Sequence, residues 1–352
     1  MRTPDTSGTL ILGRSEIRQL LGMQPCIDAV EDAFRRHARS QTMTPGIVGM
    51  HVPGGGFHVK TAGLLATSPD ERPMFVAKIN ANFPANPEQY GLPTIQGVIA
   101  LFDAVDGRVL ALLDSMEITS MRTAAATAVA ARYLARDDSA TVTICGCGEQ
   151  SRHQLRALAS VRALRRAYAF DVSSDRAGAF ARDMTAELRI DVTAVPALGD
   201  ETRTSDIWVT CTSARRWFLG RVHVSPGAFI AAVGADNPEK QEIEPELLAA
   251  STVVADILDQ CIGLGDLHHA LDAGVMQPSD VHAELAQIVS AEKPGRRSPN
   301  EIIVFDSTGT ALQDVAAATL VYRNALAAGA GIFVDLSDGT SARLPATAVA
   351  GA

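Results

Sequence analysis

The apolar positions of the first 115 residues change period once, and that change divides them into helices followed by strands. In EIRQLLG the apolar residues recur at helical spacing, with Ser15 placed as the N-cap. Residues 25–38 repeat the pattern and put Ile27, Val30, Ala33 and Phe34 on one face. The period then falls to two. Residues 47–52 and 57–64 predict strands joined by a PGGG turn, and residues 74–82 predict a third. Residues 95–102 and 109–113 flank a hairpin turn at Asp106-Gly107. A largely antiparallel sheet of this kind must bury one face on a helix or on another subunit. Residues 117–136 are alanine-rich and helical, and they bridge into the second half of the chain.

From residue 141 strands and helices alternate. TVTIC reads as a strand, GCGEQS as a turn, and the next stretch as a helix lined by Leu155, Leu158 and Val161. AYAF is a second strand and ends on Asp171. Further strands are predicted at residues 192–194, 207–211, 229–233, 253–256 and 302–305, and a last helix at 312–328 should pack back on the first domain. The fold class is α/β, a Rossmann-type doubly wound parallel sheet plus an α+β domain with a largely antiparallel sheet. The expected domains are residues 126–311 for the dinucleotide and residues 1–125 with 312–336 for substrate binding and dimerisation. Residues 337–352, small and polar and then alanine-rich, read as a disordered tail.

The stretch from Thr141 to Asp171 carries the first chemistry. Gly146 and Gly148 occupy the first two positions of G-x-G-x-x-G, and Ser151 takes the third, where a small residue still permits close helix–strand packing. Gly146 lets the chain turn off the strand, Gly148 lets backbone approach a pyrophosphate, and the helix N-terminus offers free N–H groups to that anion. An acid at Asp171 suits the ribose hydroxyls and repels a 2′-phosphate, so NAD(H) is expected over NADP(H). Arg176 is the nearest base that could soften this preference, and it falls inside the next helix.

Composition narrows the partners. A chain of 352 residues with 47% hydrophobic and 20% charged residues is a globular one. Its net charge of -9 argues against nucleic acid, and no apolar run approaches the length that crosses a bilayer. The N-terminus has a four-residue apolar core, too short for a signal peptide. Five scattered cysteines read as reduced thiols of a cytoplasmic protein, with Cys145 and Cys147 as small buried fillers around the glycines. His268 and His269 are adjacent and diverge on a helix, so no metal site is expected.

Several strings together, LPTIQGVIALFDAVDGRVLALLDSMEITSMRTAAATAVAARYLAR, GCGEQSRHQLRAL, VGADNPEKQE and VFDSTGTALQD, resemble the ornithine cyclodeaminase/mu-crystallin family over residues 10–330. That family includes ornithine and lysine cyclodeaminases, an archaeal type of alanine dehydrogenase, and imine reductases. The resemblance implies a homodimer built on the antiparallel sheets and a small amino or imino acid as substrate. It implies that Lys78 is the active-site lysine, that Arg122 binds the substrate carboxylate, and that Asp236, supported by Lys240, is the general acid/base near the nicotinamide. Thr94 and Gln96 resemble residues at the nicotinamide end, and Ser307 resembles a cofactor contact. Within the same motifs Glu149, Gln150, Thr123 and Gly234 are assigned to the cofactor, and Thr210 and Thr212 lie at a strand end facing it. The pattern departs at one place. Many members carry an arginine after a proline in the first strand region, whereas Gly46 follows Pro45 here. Two residues apart on one strand, His58 and Lys60 share a face, and Lys60 could supply the missing charge.

The expected reaction is hydride transfer at the α-carbon of an amino or imino acid. Exchange of water or ammonia at the resulting iminium gives a dehydrogenase or imine reductase, and the substrate-side departure favours this branch. Attack by the substrate's own terminal amine gives a cyclodeaminase that releases ammonia and uses NAD+ catalytically. A third reading is a non-catalytic NAD(P)H-binding protein of mu-crystallin type.

Overall fold

A computed structural model describes residues 8–336 and 341–343. These divide into two units, the first running to Arg122 and resuming at Thr310, the second Thr123–Gly309.

The first unit opens with β1 (Thr9–Leu12), α1 (Arg14–Leu20), α2 (Met23–Ala38), β2 (Thr42–Val52), β3 (Gly55–Leu64), β4 (Met74–Asn82), α3 (Asn86–Tyr90), β5 (Ile95–Asp103) and β6 (Val109–Asp114). The unit boundary falls inside the next helix, α4 (Ser115–Leu134). Ser15 is not the N-cap of α1. Gly13 occupies that position, and its N–H donates to the Glu16 carboxylate at 3.0 Å. β2 begins at Thr42, earlier than the alternation alone indicated. β2 to β6 form an antiparallel meander, with short turns between β2 and β3 and between β5 and β6 and with α3 in the connection from β4 to β5. β1, which from the sequence is only a short apolar run, adds parallel to β6.

The second unit contains β7 (Thr141–Cys145), α5 (Glu149–Val161), β8 (Arg166–Phe170), α6 (Ser174–Leu188), β9 (Asp191–Ala194), α7 (Asp200–Arg203) and β10 (Ile207–Thr210). It continues with β11 (Arg215–Leu219), β12 (Phe229–Ala232), β13 (Gln241–Ile243), α8 (Pro245–Ala249), β14 (Thr252–Ala255), α9 (Leu258–Gly263), α10 (Gly265–Asp272), β15 (Ala283–Glu284), α11 (Leu285–Val289) and β16 (Ile303–Asp306). Eight strands form one parallel sheet in the order β15-β14-β16-β12-β10-β7-β8-β9, with the order reversing beside β7. This is the doubly wound arrangement. β10 and β12 are buried throughout, as strands covered on both faces must be. Trp208, Ile230, Val253 and Val304 pack with Leu219, Ile243 and Leu247 on one side of the sheet. β11 and β13 form a separate parallel pair that the alternation did not reveal.

The chain then re-enters the first unit through α12 (Ala311–Ala328), β17 (Ile332–Val334) and β18 (Ser341–Arg343). Thr310 caps α12 by accepting from the Leu312 N–H, and Gly329 ends it in the left-handed region. The helix packs on α2 and across β3, β4 and β5. β17 and β18 complete the first sheet, in the order β18-β17-β1-β6-β5-β4-β3-β2. Three residues of the segment expected to be a disordered tail are therefore a paired strand, Val334 opposite Ser341. The remaining residues of that segment lie outside the described ones.

Period-two alternation sorts the residues of this sheet. One face carries Lys60, Ala62, Val76, Lys78, Ile99 and Leu101, all buried beneath the helices. The other carries Val48, Met50, Ile79 and Val98, which are 59%, 53%, 43% and 37% exposed.

Candidate active site

In the first unit, four charged side chains meet on the covered face of the sheet. Lys60 on β3 and Lys78 on β4 are direct cross-strand partners. Arg122 comes from α4, and the anion that joins them is Asp314, in the first turn of α12. Their exposures are 8%, 2%, 4% and 0%, so this is a buried ionic cluster and not a solvated strand face. Lys78 Nζ lies 2.7 Å from Asp314 Oδ2, and Arg122 Nε lies 3.0 Å from Asp314 Oδ1. Arg122 Nη1 donates to Gln313 Oε1 at 2.5 Å. Burial, then the Arg122 guanidinium and Lys60, pull Lys78 down against Asp314, leaving it at about 7. For Asp314 burial works toward the neutral form, but Arg122, Lys78 and Lys60 outweigh it and hold the carboxyl below its ordinary range. Beside this cluster Ser115 Oγ donates to Asn80 Oδ1 at 2.7 Å. His58 lies on the same face as Lys60, two residues away.

Asp314 and Gln313 were not singled out from the sequence. The only signal was the string ending in LQD. In isolation, an acid in a helix's first turn looks like a partner for the helix dipole.

In the second unit the glycine turn fits a dinucleotide. Gly146 has φ +91, and a Cβ there would meet the Cys211 carbonyl oxygen at 2.8 Å and Thr212 Cγ2 at 2.9 Å. Only glycine serves at this point. Gly148 is the N-cap of α5 with no side-chain cap, and a Cβ on it meets nothing within 4 Å. The first N–H groups of α5 thus have no capping side chain and open backbone beside them, as a phosphate requires. Ser151, fully buried, bonds the Gly148 carbonyl and does the packing work of the third small residue. Glu149 and Gln150 form the first turn of α5.

Asp171 stands at the end of β8. Its Oδ2 accepts the Cys147 N–H at 2.9 Å, and its Oδ1 accepts the Ser173 N–H at 2.8 Å. Arg176, although within α6, reaches back to the same Oδ1 at 2.9 Å. Burial opposes the charge, but those N–H groups and the guanidinium keep the carboxyl below its usual range, so it is an ionised acceptor.

The next strand ends are held by buried acids that sequence reasoning missed. Glu242 Oε1 accepts from Thr212 N–H and Oγ1, both at 2.6 Å, and Oε2 accepts from Gly234 N–H at 2.8 Å. Asp266 accepts the N–H groups of Glu242 and Ile243. Asp306 accepts that of Leu267 at 2.9 Å, and Asp256 those of Ile257 and Gly309. Burial pushes Glu242 and Asp266 up, the latter also through its acidic neighbours, and Asp306 reaches about 7. In sequence these four look like surface acids. In the fold they are clips on the turns that carry Thr212, Gly234 and Ser307.

The structure therefore brings Lys60, Lys78 and Arg122 together in one unit. In the other it gathers Gly146, Gly148 and Asp171 on one side, and Thr210, Thr212, Gly234 and Ser307 at the strand ends. Thr123 follows Arg122 in α4 and is buried. Asp236 and Lys240 form an ion pair of 2.8 Å, with the Asp236 side chain 48% exposed. Gln96 is opposite Ala81, on the sheet face away from Lys78, while Thr94 precedes β5 and accepts the Phe83 N–H at its carbonyl.

A doubly wound sheet with a glycine turn and terminal acid, in a chain whose other unit is a sheet holding a buried cationic cluster around one aspartate, defines a dinucleotide-type α/β protein. The chain belongs to the ornithine cyclodeaminase/mu-crystallin family, whose pattern matches residues 8–329. It is 36% identical over 323 residues to alanine dehydrogenase of Archaeoglobus fulgidus, covering 92% of this chain and 97% of that one. Among solved structures it resembles an archaeal alanine dehydrogenase dimer with bound NAD, with TM-score 0.86 and 34% identity over 96% of this chain and 99% of that one. It also resembles the Δ1-pyrroline-2-carboxylate reductase of Thermococcus litoralis in complex with NADH and L-proline, with TM-score 0.85, 32% identity, and 92% and 99% coverage.

Proposed function

We propose that this protein is an NAD(H)-dependent oxidoreductase acting on the α C–N bond of a small amino or imino acid, as an amino-acid dehydrogenase or imine reductase. The observation that carries the reading is the buried cluster of Lys60, Lys78 and Arg122 around a single aspartate. Positive charges gathered and buried on one sheet face are costly to hold, and an anionic ligand offsets that cost. A substrate α-carboxylate is such an anion, and guanidinium matches it with two parallel hydrogen bonds. The similar alanine dehydrogenase and the reductase holding L-proline act on, or hold, amino and imino acids of this kind.

When bound, the nicotinamide supplies a hydride acceptor or donor at the substrate α-carbon. The chain's own residues do the rest. Arg122 with Lys60 and Lys78 holds the carboxylate. Asp236, paired with Lys240, takes the proton from the α-amine in oxidation and returns it to the imine nitrogen in reduction. Glu242 keeps the turns bearing Thr212 and Gly234 in place on the cofactor side.

NAD(H) is the expected cofactor because the ionised Asp171 at the end of β8 suits ribose hydroxyls and would repel a 2′-phosphate. We further infer a homodimer through the uncovered face of the antiparallel sheet, since Val48, Met50, Ile79 and Val98 leave an apolar surface there. No helix among the described residues is long and apolar enough to cross a membrane. The five cysteines are unpaired, which suits a reducing cytoplasm.

The test is NADH oxidation with a panel of α-keto acids plus ammonia or methylamine, and of cyclic imines. Turnover lost in Asp236→Ala with NADH binding retained supports the reading. Ammonia release from ornithine or lysine at catalytic NAD+, with no net change in NADH, would replace it by cyclodeamination.

A further inference from the structure

We propose that Asp314 is the positioning residue of the carboxylate grip: its two oxygens set Lys78 and Arg122, and with Gln313 it leaves the terminal Nη edge of Arg122 for the substrate. This rests on the reading of the cluster as a carboxylate site.

The hydrogen inventory of the two cations carries the argument. An arginine has five N–H groups in a fixed fork, and a lysine has three. The Nε side of Arg122 faces Asp314 Oδ1 at 3.0 Å, and Nη1 gives one hydrogen to Gln313 Oε1 at 2.5 Å. The Nε hydrogen is turned toward Asp314 as an ion pair without an aligned hydrogen bond, and one hydrogen on Nη1 and both on Nη2 stay at the end of the fork that takes a carboxylate with two parallel bonds. Lys78 Nζ lies 2.7 Å from Asp314 Oδ2 as an ion pair, close enough for that carboxylate to fix where the ammonium sits. Gln313 is oriented by the same logic. Guanidinium has no acceptor, so the amide oxygen must face it, and the buried Nε2 has no hydrogen-bond partner among the described residues. A carboxylate oxygen seated at the Nη edge would satisfy that donor.

Asp314 also sets the charge of the site. The groups facing Lys78 are Lys60 and, two residues along, His58 from β3, Arg122 from α4, and Asp314 with neutral Gln313 from α12. Cys26 of α2, near Arg122, is kept a neutral thiol by burial, at about 12. Asp314 is the one anion of this set. Without it the proton on Lys78 is less stable and the Arg122 fork loses the contact that fixes its rotation. A side chain that merely braced the helix would do neither.

The experiment compares the full-length protein with Asp314→Asn, Asp314→Glu and Gln313→Leu. The readouts are kcat, KM, the pH profile of kcat/KM, NADH affinity, and protection of the protein against melting by pyruvate. Asp314→Asn should keep its NADH affinity within about twofold and lose about a hundredfold in kcat/KM, a loss of the order that mispositioned reacting groups produce. Its pH limb belonging to Lys78 should move about one unit to lower pH. Asp314→Glu should keep the limb and recover part of kcat. Gln313→Leu should raise KM about tenfold, as loss of one hydrogen bond to a charged group does, and leave kcat nearly unchanged. If Asp314→Asn does not fold, the Asp314→Glu and Gln313→Leu results decide. Variants whose activity follows only their folded fraction, with the pH limb unmoved and KM unchanged, overturn the proposal while leaving the carboxylate site standing. A wild type that neither turns over any keto or imino acid nor is protected by pyruvate overturns the site and the proposal together.

Discussion

Replacing Gly148 by alanine adds one methyl group where the protein itself has room for it. The residue has φ -85 and ψ -162, a conformation alanine adopts, and a Cβ built there meets nothing within 4 Å. The fold should therefore lose only the difference between glycine and alanine at an N-cap, about 0.5–1 kcal/mol. For a chain of this size that corresponds to roughly 2 °C in melting temperature. A pyrophosphate drawn to the N-terminus of α5 would meet the methyl group directly. Overpacking of that kind costs about 1–3 kcal/mol, which is about tenfold to a hundredfold in NADH affinity. Gly146→Ala is the contrasting case. Its φ of +91 costs a non-glycine residue about 1–2 kcal/mol. The Cβ would also press on the Cys211 carbonyl oxygen at 2.8 Å, which is backbone and cannot swing aside. Together these amount to about 2–5 kcal/mol of folding stability. The assay is NADH fluorescence titration beside a thermal melt on the same samples. Gly148→Ala that melts like wild type and binds NADH equally well would refute the placement of the phosphates at this turn.

The same geometry sets three other outcomes. Asp171→Asn removes the ionised acceptor and frees Arg176, so the ratio of NADPH to NADH dissociation constants should fall at least about tenfold in parallel titrations. Lys78, at about 7, is charged below that pH and neutral above it, so affinity for a small carboxylate such as pyruvate should weaken as pH rises from 6 to 8. Lys78→Arg should flatten that dependence, as read from pyruvate protection in melts across the range. Val48→Asp combined with Ile79→Asp puts charge on the uncovered sheet face and should give a monomer by light scattering, with NADH affinity retained.

Much of the architecture was legible because it is written in local patterns. The period-two runs of β3, β4, β5 and β6, the hairpin at Asp106-Gly107 and the strand–glycine–helix–strand–acid order from Thr141 to Asp171 are each set by neighbours within a few residues. The misses are non-local. β1 is four residues long and becomes a strand because β6 and β17 flank it, about a hundred and over three hundred residues away in the chain. β18 exists only against β17. Ser15 lost the cap to Gly13 because helix ends are poorly marked to within a turn. In the site, Lys78 and Arg122 stood out as cations among apolar residues. Asp314, Glu242, Asp266 and Asp306 did not, because an acid near a helix start or in a loop carries no local sign that the fold will bury it. What burial does to such groups is decided by packing, which the linear pattern does not contain.

Lys60 and Lys78 face each other across two adjacent strands, and like charges so placed push the strands apart. Asp314 offsets part of that repulsion between turnovers, and a bound acid group would offset more of it. The enzyme's lifetime is thereby tied to its supply: a molecule with nothing to process opens more readily, and degradation of the opened form follows how often it opens. Slower digestion by a protease when a small carboxylate is present, and no such slowing in Lys60→Met, would be the mark of an enzyme cleared when its own substrate runs short.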